Sequence, residues 1–454
     1  MYMKSNSRRS FIKSTSIIST GLAIIPSIYS CSPNSKLNYA VIGVGGRGRA
    51  NWGRVQNENI VAMCDVDDNR ASVGYKMVPK AKRFKDFRVM FDKMHKEIDA
   101  VIISTPDHTH FAATMAAMEL GKHVYVEKPL AHNVWELRTM KKAAKHYGIV
   151  SQMGNQGHTT DGVRSIKEWY EAGVLGEVKE IFAWIGEFNF NPGHYWTKPK
   201  SFPPKKDPIP DYLDWDLWLG PAKYRDFNSA YAPKSWRGFY DFGNGQLGDW
   251  ACHTLDGPFW AMDLGMPNSV KVEIPKPRTP YNFVSDQSIV TYNFNNKKDK
   301  SPVTLKWYEG GLKPEILNDL GVNKMDDYKR HGMIMVGDKN TLITGGRPNK
   351  PKLLMPDSEW EEFLLNAPEK VIPRIKDETP VEEWVDAIKN NTQPLSNFDY
   401  GANLTEMALL GCLAQRFNAN FEYDAQNMKI TDRPDVDEFI KEPVRTGWSY
   451  GDSI

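Results

Sequence analysis

The chain has 454 residues, 41% of them hydrophobic and 25% charged, with a formal net charge of +2. That length favours two domains with a ligand cleft between them, and the ordinary composition excludes a disordered or fibrous protein. The near-neutral balance lacks the dense basic face that nucleic-acid binding needs, and four scattered cysteines with no CxxC pair provide neither a disulfide framework nor a structural zinc site.

In chain order, the N-terminus starts basic, Ser7-Arg8-Arg9-Ser10-Phe11-Ile12-Lys13, and continues as an apolar stretch from Ser14 to Ile28 broken by Gly21 and Pro26. The stretch is too short and too interrupted for a spanning helix. Its paired arginines, phenylalanine, aliphatic residue and lysine resemble a twin-arginine export signal, with an ordinary secretory leader as the alternative. Ile28-Tyr29-Ser30-Cys31 resembles a lipobox with Cys31 as the acylated residue, against simple cleavage nearby. Residues 1–31 are therefore set apart from the fold. The expected location is periplasmic, with the membrane reached only through a lipid on Cys31.

Leu37 to Ile42 reads as a β-strand and runs directly into Gly43-Val44-Gly45-Gly46-Arg47-Gly48, a G-x-G-x-x-G between a strand and a helix. Glycines there permit a tight turn and the close approach of a pyrophosphate to a helix N-terminus, whose free N–H groups favour an anion. Arg47 adds positive charge. A second strand, Ile60 to Cys64, ends in Asp65, where the acid that accepts from ribose hydroxyls is expected. Asp65 favours NAD over NADP, although Arg47, Arg49 and Arg70 leave NADP open; the alternative role for Asp65 is to cap the following helix.

Asp99 to Ser104 reads as a buried parallel strand leading into Thr105-Pro106-Asp107-His108-Thr109-His110, and His123 to Val126 as another leading into Glu127-Lys128-Pro129. Ligands of open parallel sheets bind at the carboxyl ends of strands, which brings Thr105, Pro106 and Lys128 to the crevice beside the glycine turn. Pro129 is a candidate for a cis bond. The succession G-x-G-x-x-G, T-P-D-x-x-H and E-K-P resembles the Gfo/Idh/MocA family, over Leu37 to about Trp448. The resemblance implies a Rossmann domain (37–155) and a C-terminal α/β domain (156–454) with a large open, mostly antiparallel sheet. It also implies NAD or NADP as hydride carrier, a homo-oligomer, and His110, Glu127 and Asn155 among the cofactor contacts. An exported enzyme has no free nicotinamide pool to draw on, so the cofactor is expected to be tightly bound.

A strand at Gly148 to Val150 is expected to precede Ser151-Gln152-Met153-Gly154-Asn155-Gln156-Gly157-His158, whose Asn155, Gln156 and His158 are candidate ligands to sugar hydroxyls or to the nicotinamide amide; Asn155 and Gly157 also suit a turn. Between Trp184 and Trp260, many tryptophans, tyrosines and prolines read as a long ordered loop. Within it Trp236 and Arg237 resemble a family segment close to the active site.

Asp249 and His253 then fall four residues apart on one helical face, where a carboxylate can orient an imidazole that meets a substrate hydroxyl. Lys128, Asp249 and His253 match the family's lysine plus D-x-x-x-H, which implies catalytic and substrate-binding roles. The alternative is a helix cap and a core histidine. A metal reading through Asp249, Cys252, His253 and Asp256 fails because neighbouring helical side chains diverge. Val270 to Ile274, Ser288 to Asn293, Val303 to Trp307, Met333 to Val336 and Thr341 to Thr344 read as strands of one sheet, and Val381 to Asn390 and Ala402 to Phe417 as helices.

These features point to an oxidoreductase acting on a sugar, glycoside or polyol alcohol. Two rivals stand beside it: a glycosidase or lyase that recycles its own NAD through a transient keto-sugar, and a non-catalytic sugar-binding lipoprotein. Lys128 weighs against the first and the three-residue constellation against the second.

Overall fold

Short apolar runs buried on both faces favour parallel pairing, because crossover helices cover the sheet from either side. Such runs form β1 (Asn38–Ile42), β2 (Asn59–Cys64), β4 (Ala100–Ile103) and β5 (His123–Glu127), and the more polar β3 (Lys82–Phe84) and β6 (Ser151–Gly154) make the edges, in the computed structural model, which describes residues 35–276, 282–295 and 301–454. The strands pair in parallel in the order β3-β2-β1-β4-β5-β6, a doubly wound Rossmann sheet. The leader and Cys31 lie outside the described residues.

One strand is displaced from its expected place. Residues 148–150 form no strand; Ile149 and Val150 are buried in the approach, and β6 begins at Ser151. Asn155 therefore lies directly at the carboxyl end of the edge strand.

The second layer is a nine-stranded sheet built from β7 (Val178–Trp184), β8 (Ser269–Glu273), β9 (Ser288–Phe294), β10 (Val303–Glu309), β11 (Gly332–Gly337), β12 (Thr341–Gly345), β13 (Lys352–Leu353), β14 (Phe421–Asp424) and β15 (Lys429–Ile430). Its order is β13-β12-β11-β7-β10-β9-β8-β14-β15, and every pair is antiparallel except β7 with β10. β9 and β10 alternate strictly between buried and half-buried positions, so one sheet face packs on the core and the other looks outward. The Phe398–Phe417 helix, buried along most of its length, packs against the helices Val134–His146 and Gly245–Thr254 and joins the two halves. The helix Pro380–Lys389 returns to the first sheet, where Trp384 meets the rings of Tyr39 and Tyr125 at 5.7 and 5.8 Å.

The aromatic stretch after β7 is ordered, with short helical turns at Trp215–Leu219 and Ser235–Gly238. Trp215, Trp218, Phe239 and Phe242 form their own buried cluster, in which each ring pair adds about 0.5–1.5 kcal/mol beyond its area. The stretch docks onto the Rossmann half through main-chain bonds, Asp68 N–H to Tyr212 O at 3.0 Å and Asp214 N–H to Val66 O at 2.9 Å. The His108 ring lies between the carbonyls of Phe242 and Trp218, 3.2 and 3.0 Å away.

Candidate active site

The carboxyl ends of β1, β2, β4 and β5 open into a cavity of about 550 Å³ whose far wall comes from the aromatic stretch and from the Gly245–Thr254 helix. At one end is the glycine turn. Gly43 and Gly46 hold φ of 84° and 54°, a region costly for side chains. A Cβ on Gly46 would stand 2.5 Å from the guanidinium of Arg70, and one on Gly45 2.6 Å from the Arg70 carbonyl. Gly48 does not face the cavity; a Cβ there would collide with the Gly43 carbonyl, so this glycine lets the helix pack against β1.

Asp65 lines the cavity, as expected of the ribose acid, but its carboxylate also organises the turn. One oxygen accepts from Val44 N–H at 2.8 Å and Gly45 N–H at 3.3 Å, and the other from Asp67 N–H at 3.0 Å. Burial raises its pKa and those bonds oppose the rise. The helix cap is Asp67, which accepts from Arg70 N–H.

Glu127 lines the cavity, as expected, and is also a hub. Its Oε1 accepts from Arg47 Nε at 3.0 Å, Asn51 Nδ2 at 2.9 Å and Gln156 Nε2 at 3.1 Å. Arg47 and Gln156 both line the cavity, but these nitrogens are already committed. Thr105 and Pro106 line it as expected.

At the other end, Lys128 is joined to Pro129 by a cis peptide bond, as anticipated. Its Nζ donates to Asp249 Oδ1 and to the Asp249 main-chain carbonyl, both at 2.7 Å. An ammonium has three donors, so one N–H is left for a ligand. Arg237 Nε stands 3.5 Å from the same Oδ1, and its guanidinium lies 4.2 Å over the Trp236 ring. Burial alone would raise the Asp249 pKa, but Lys128 and Arg237 hold it below the ordinary carboxylate range. His253 lines the same cavity, with its Nδ1 buried and without a hydrogen-bond partner among the described residues. Burial first, then the charges of Lys128 and Arg347, push the His253 pKa well below its ordinary value.

Four expectations need correction. Asp249 does not hydrogen-bond His253; its carboxylate is drawn to the two cations, and its effect on the imidazole is through charge alone. His110 does not line the cavity; its ring stands 2.9 Å from the Pro129 carbonyl and 2.8 Å from that of Thr105, tying together the loops that follow β4 and β5. His158 is a core histidine, 3.0 Å from Asp256 and in tilted ring contact with Trp260 and Tyr400. Asn155 is fully buried away from the cavity, and its amide has no partner among the described residues. The set Asp249, Cys252, His253 and Asp256 is dispersed, since Cys252 faces Thr405 while Asp256 faces His158 and Tyr400.

Sequence reasoning missed Arg347 and Trp448, which also line the cavity. Arg347 follows Gly345-Gly346 in the turn after β12, a glycine pair that marked a tight loop but not its destination. Trp448 carries no local signal. It is placed by its ring contact with Phe87 at 6.0 Å and by Arg88 lying 4.2 Å over it.

The glycine cradle, Asp65 and the cavity between them and Lys128 fit a dinucleotide, and similar proteins agree. Residues 37–155 match the model of the Gfo/Idh/MocA oxidoreductase family, NAD-binding Rossmann fold, and residues 159–303 that of the family's C-terminal alpha/beta domain. A glycosyl hydrolase family 109 protein of Solibacter usitatus is 29% identical over 199 residues, 39% of this chain and 45% of that protein. A levoglucosan dehydrogenase of Pseudarthrobacter phenanthrenivorans is 30% identical over 172 residues, 38% of this chain and 34% of that protein. The aligned stretch thus spans less than half the length of these relatives. In fold, the WlbA dehydrogenase of Bordetella pertussis, solved with NADH and UDP-GlcNAcA, superposes with a TM-score of 0.59 at 15% identity, over 86% of this chain and 99% of that one. The chain belongs to the Gfo/Idh/MocA family of oxidoreductases, and its first half is that family's NAD-binding Rossmann domain.

Proposed function

We propose that the protein is an NAD-dependent oxidoreductase that interconverts a secondary alcohol and a ketone on a sugar or polyol. The observation that carries this reading is the meeting, in one cavity, of the glycine turn with Lys128 and His253. NAD supplies the hydride acceptor when bound. Lys128 offers its remaining N–H to the substrate oxygen and stabilises the alkoxide charge as it develops. His253, held neutral by burial, takes the hydroxyl proton. Asp249 is a positioning residue that fixes the Lys128 ammonium through two of its three donors.

Residues 1–31 act, in this reading, as a twin-arginine leader, with Cys31 as the lipid attachment point of the exported chain. The cofactor stays bound through turnover. The protein is purified from its source, and its intact mass reads out loss of the leader and any acyl chain. Bound nucleotide is then sought by absorbance, and a panel of sugars and glycosides is scored for cofactor reduction and bond cleavage. Lys128→Met and His253→Ala should each lower turnover by about 10²-fold or more with nucleotide still bound. Near-normal turnover in both variants sinks the assignment, and cleavage without net redox replaces it with the recycling glycosidase, the activity class named for the Solibacter relative.

A further inference from the structure

We propose that the substrate carries a carboxylate, as uronic and aldonic acids do, and that Arg347 receives it beside the reacting carbon. This inference rests on the oxidoreductase reading above and specifies its substrate class.

The cations whose charge acts on His253 are Lys128, Arg347 and Arg47. Lys128 is paired with Asp249 and Arg47 with Glu127. Among the described residues no ion pair joins Arg347 to a carboxylate, and its guanidinium carbon lies 5.7 Å from the centre of the Trp250 ring. An unpaired guanidinium in the same cavity as a proton acceptor opposes the proposed chemistry, because its charge disfavours protonation of the imidazole. A negative group on the substrate offsets that charge at the moment of binding. His253 then gains basicity only when the matching substrate is in place.

The position of Arg347 is built rather than incidental. The preceding Gly346 carbonyl accepts from the buried Thr254 hydroxyl at 2.7 Å, which fastens the turn after β12 to the helix carrying Asp249 and His253. Gly346 has no room for a side chain, since its Cβ would come within 2.7 Å of His331 and 3.5 Å of Trp250. Trp250 in turn stacks on His331 at 5.0 Å and lies 6.1 Å from the His253 ring. The loop therefore presents Arg347 on the His253 side of the cavity. With Lys128 and Arg47 already paired, the single guanidinium of Arg347 matches a single negative charge, and its planar donor fork takes a carboxylate bidentately.

The test compares kcat/KM, read as reduction of bound cofactor, for glucuronate, galacturonate and gluconate against glucose, galactose, the uronate methyl esters and glucose 6-phosphate. At least one acid should exceed its neutral counterpart by about 10²-fold, and Arg347→Gln should reduce that ratio by about 10-fold or more, mainly through KM. Arg347→Lys, which keeps the charge but not the fork, should recover part of it. Equal use of acid and ester, preference for the phosphate, or a ratio unchanged in Arg347→Gln overturns the carboxylate assignment while leaving the oxidoreductase reading intact. Failure of every compound to reduce the cofactor counts against that reading itself.

Discussion

Asp249 shows how a motif can name the right residues and the wrong bond. Four-residue spacing puts Asp249 and His253 on one helical face, but a carboxylate placed near an ammonium, a guanidinium and a neutral imidazole is held by the cations, where the Coulomb energy is greatest. His253 is thereby left neutral, and the consequence is a pH dependence. Its pKa lies well below the ordinary value near 6.5, so its proton is absent in the free enzyme through the usual working range. For alcohol oxidation, kcat/KM reports the free enzyme, and the acidic fall in rate should lie well below pH 6.5. The profile should be flat between about pH 6 and 7; a rate that falls tenfold per pH unit below 6.5 would mean that His253 titrates normally and that its burial is misjudged.

The helix bearing these residues raises a question about its own start. Its N-cap residue, Asn244, makes no side-chain capping bond, and the Leu247 N–H is instead met by Glu309 from β10. Glu309 also accepts from Ser288 and Trp307, at 3.0 and 3.2 Å, and burial pushes its pKa up to about 7. The folded protein therefore keeps a proton on Glu309 that the unfolded chain gives up near pH 4.3. Stability from this group is complete below that value and is lost as pH rises through about 7. Glu309→Gln keeps the acceptor without the charge. It should raise Tm at pH 8 by about 2 °C or more and flatten the change in Tm between pH 5 and 8; an unchanged pH slope would contradict the role. None of this was visible from the chain alone. Strand and helix existence follows from local periodicity, which is why ten of the fifteen strands were legible, β6 among them but shifted because the buried pair Ile149-Val150 imitates a strand, whereas β3, β7, β13, β14 and β15 were not. The glycine turn, Lys128 and His253 were legible for the same reason, each being attached to a strand end or a helical face. Arg347, Glu309 and Trp448 reach the site or its support from distant parts of the sequence, and only tertiary packing brings them there. His158 was misplaced because a polar residue beside a strand end can turn inward to a buried partner as readily as outward to a ligand, and Asn155 is buried as completely without such a partner among the described residues.

On the scale of the whole molecule, the slot for the dinucleotide is closed by segments that no single domain owns. The aromatic stretch is joined to the end of β2 through Val66 and Asp68, and the C-terminal tail clips that stretch from outside, with Arg445 reaching Asp216 at 2.6 Å and the Gly220 carbonyl at 2.8 Å. Three residues beyond Arg445, Trp448 lines the slot against Phe87. If the tail and the stretch retain the ligand, its dissociation is limited by their movement rather than by its own contacts, an expectation that release kinetics test. Trp448→Ala removes the closing ring without touching the glycine turn, Lys128 or His253. Release of bound nucleotide, followed by displacement with an excess of labelled NAD, should quicken by about 10-fold or more, while Trp448→Phe should stay close to the parent. A tenfold weaker Kd also lowers the stabilisation conferred by saturating nucleotide by about 1.4 kcal/mol, which a thermal melt with and without nucleotide detects independently. Unaltered release in Trp448→Ala would place the barrier elsewhere in the slot, and rapid exchange in the parent protein would remove the basis for a cofactor carried through turnover.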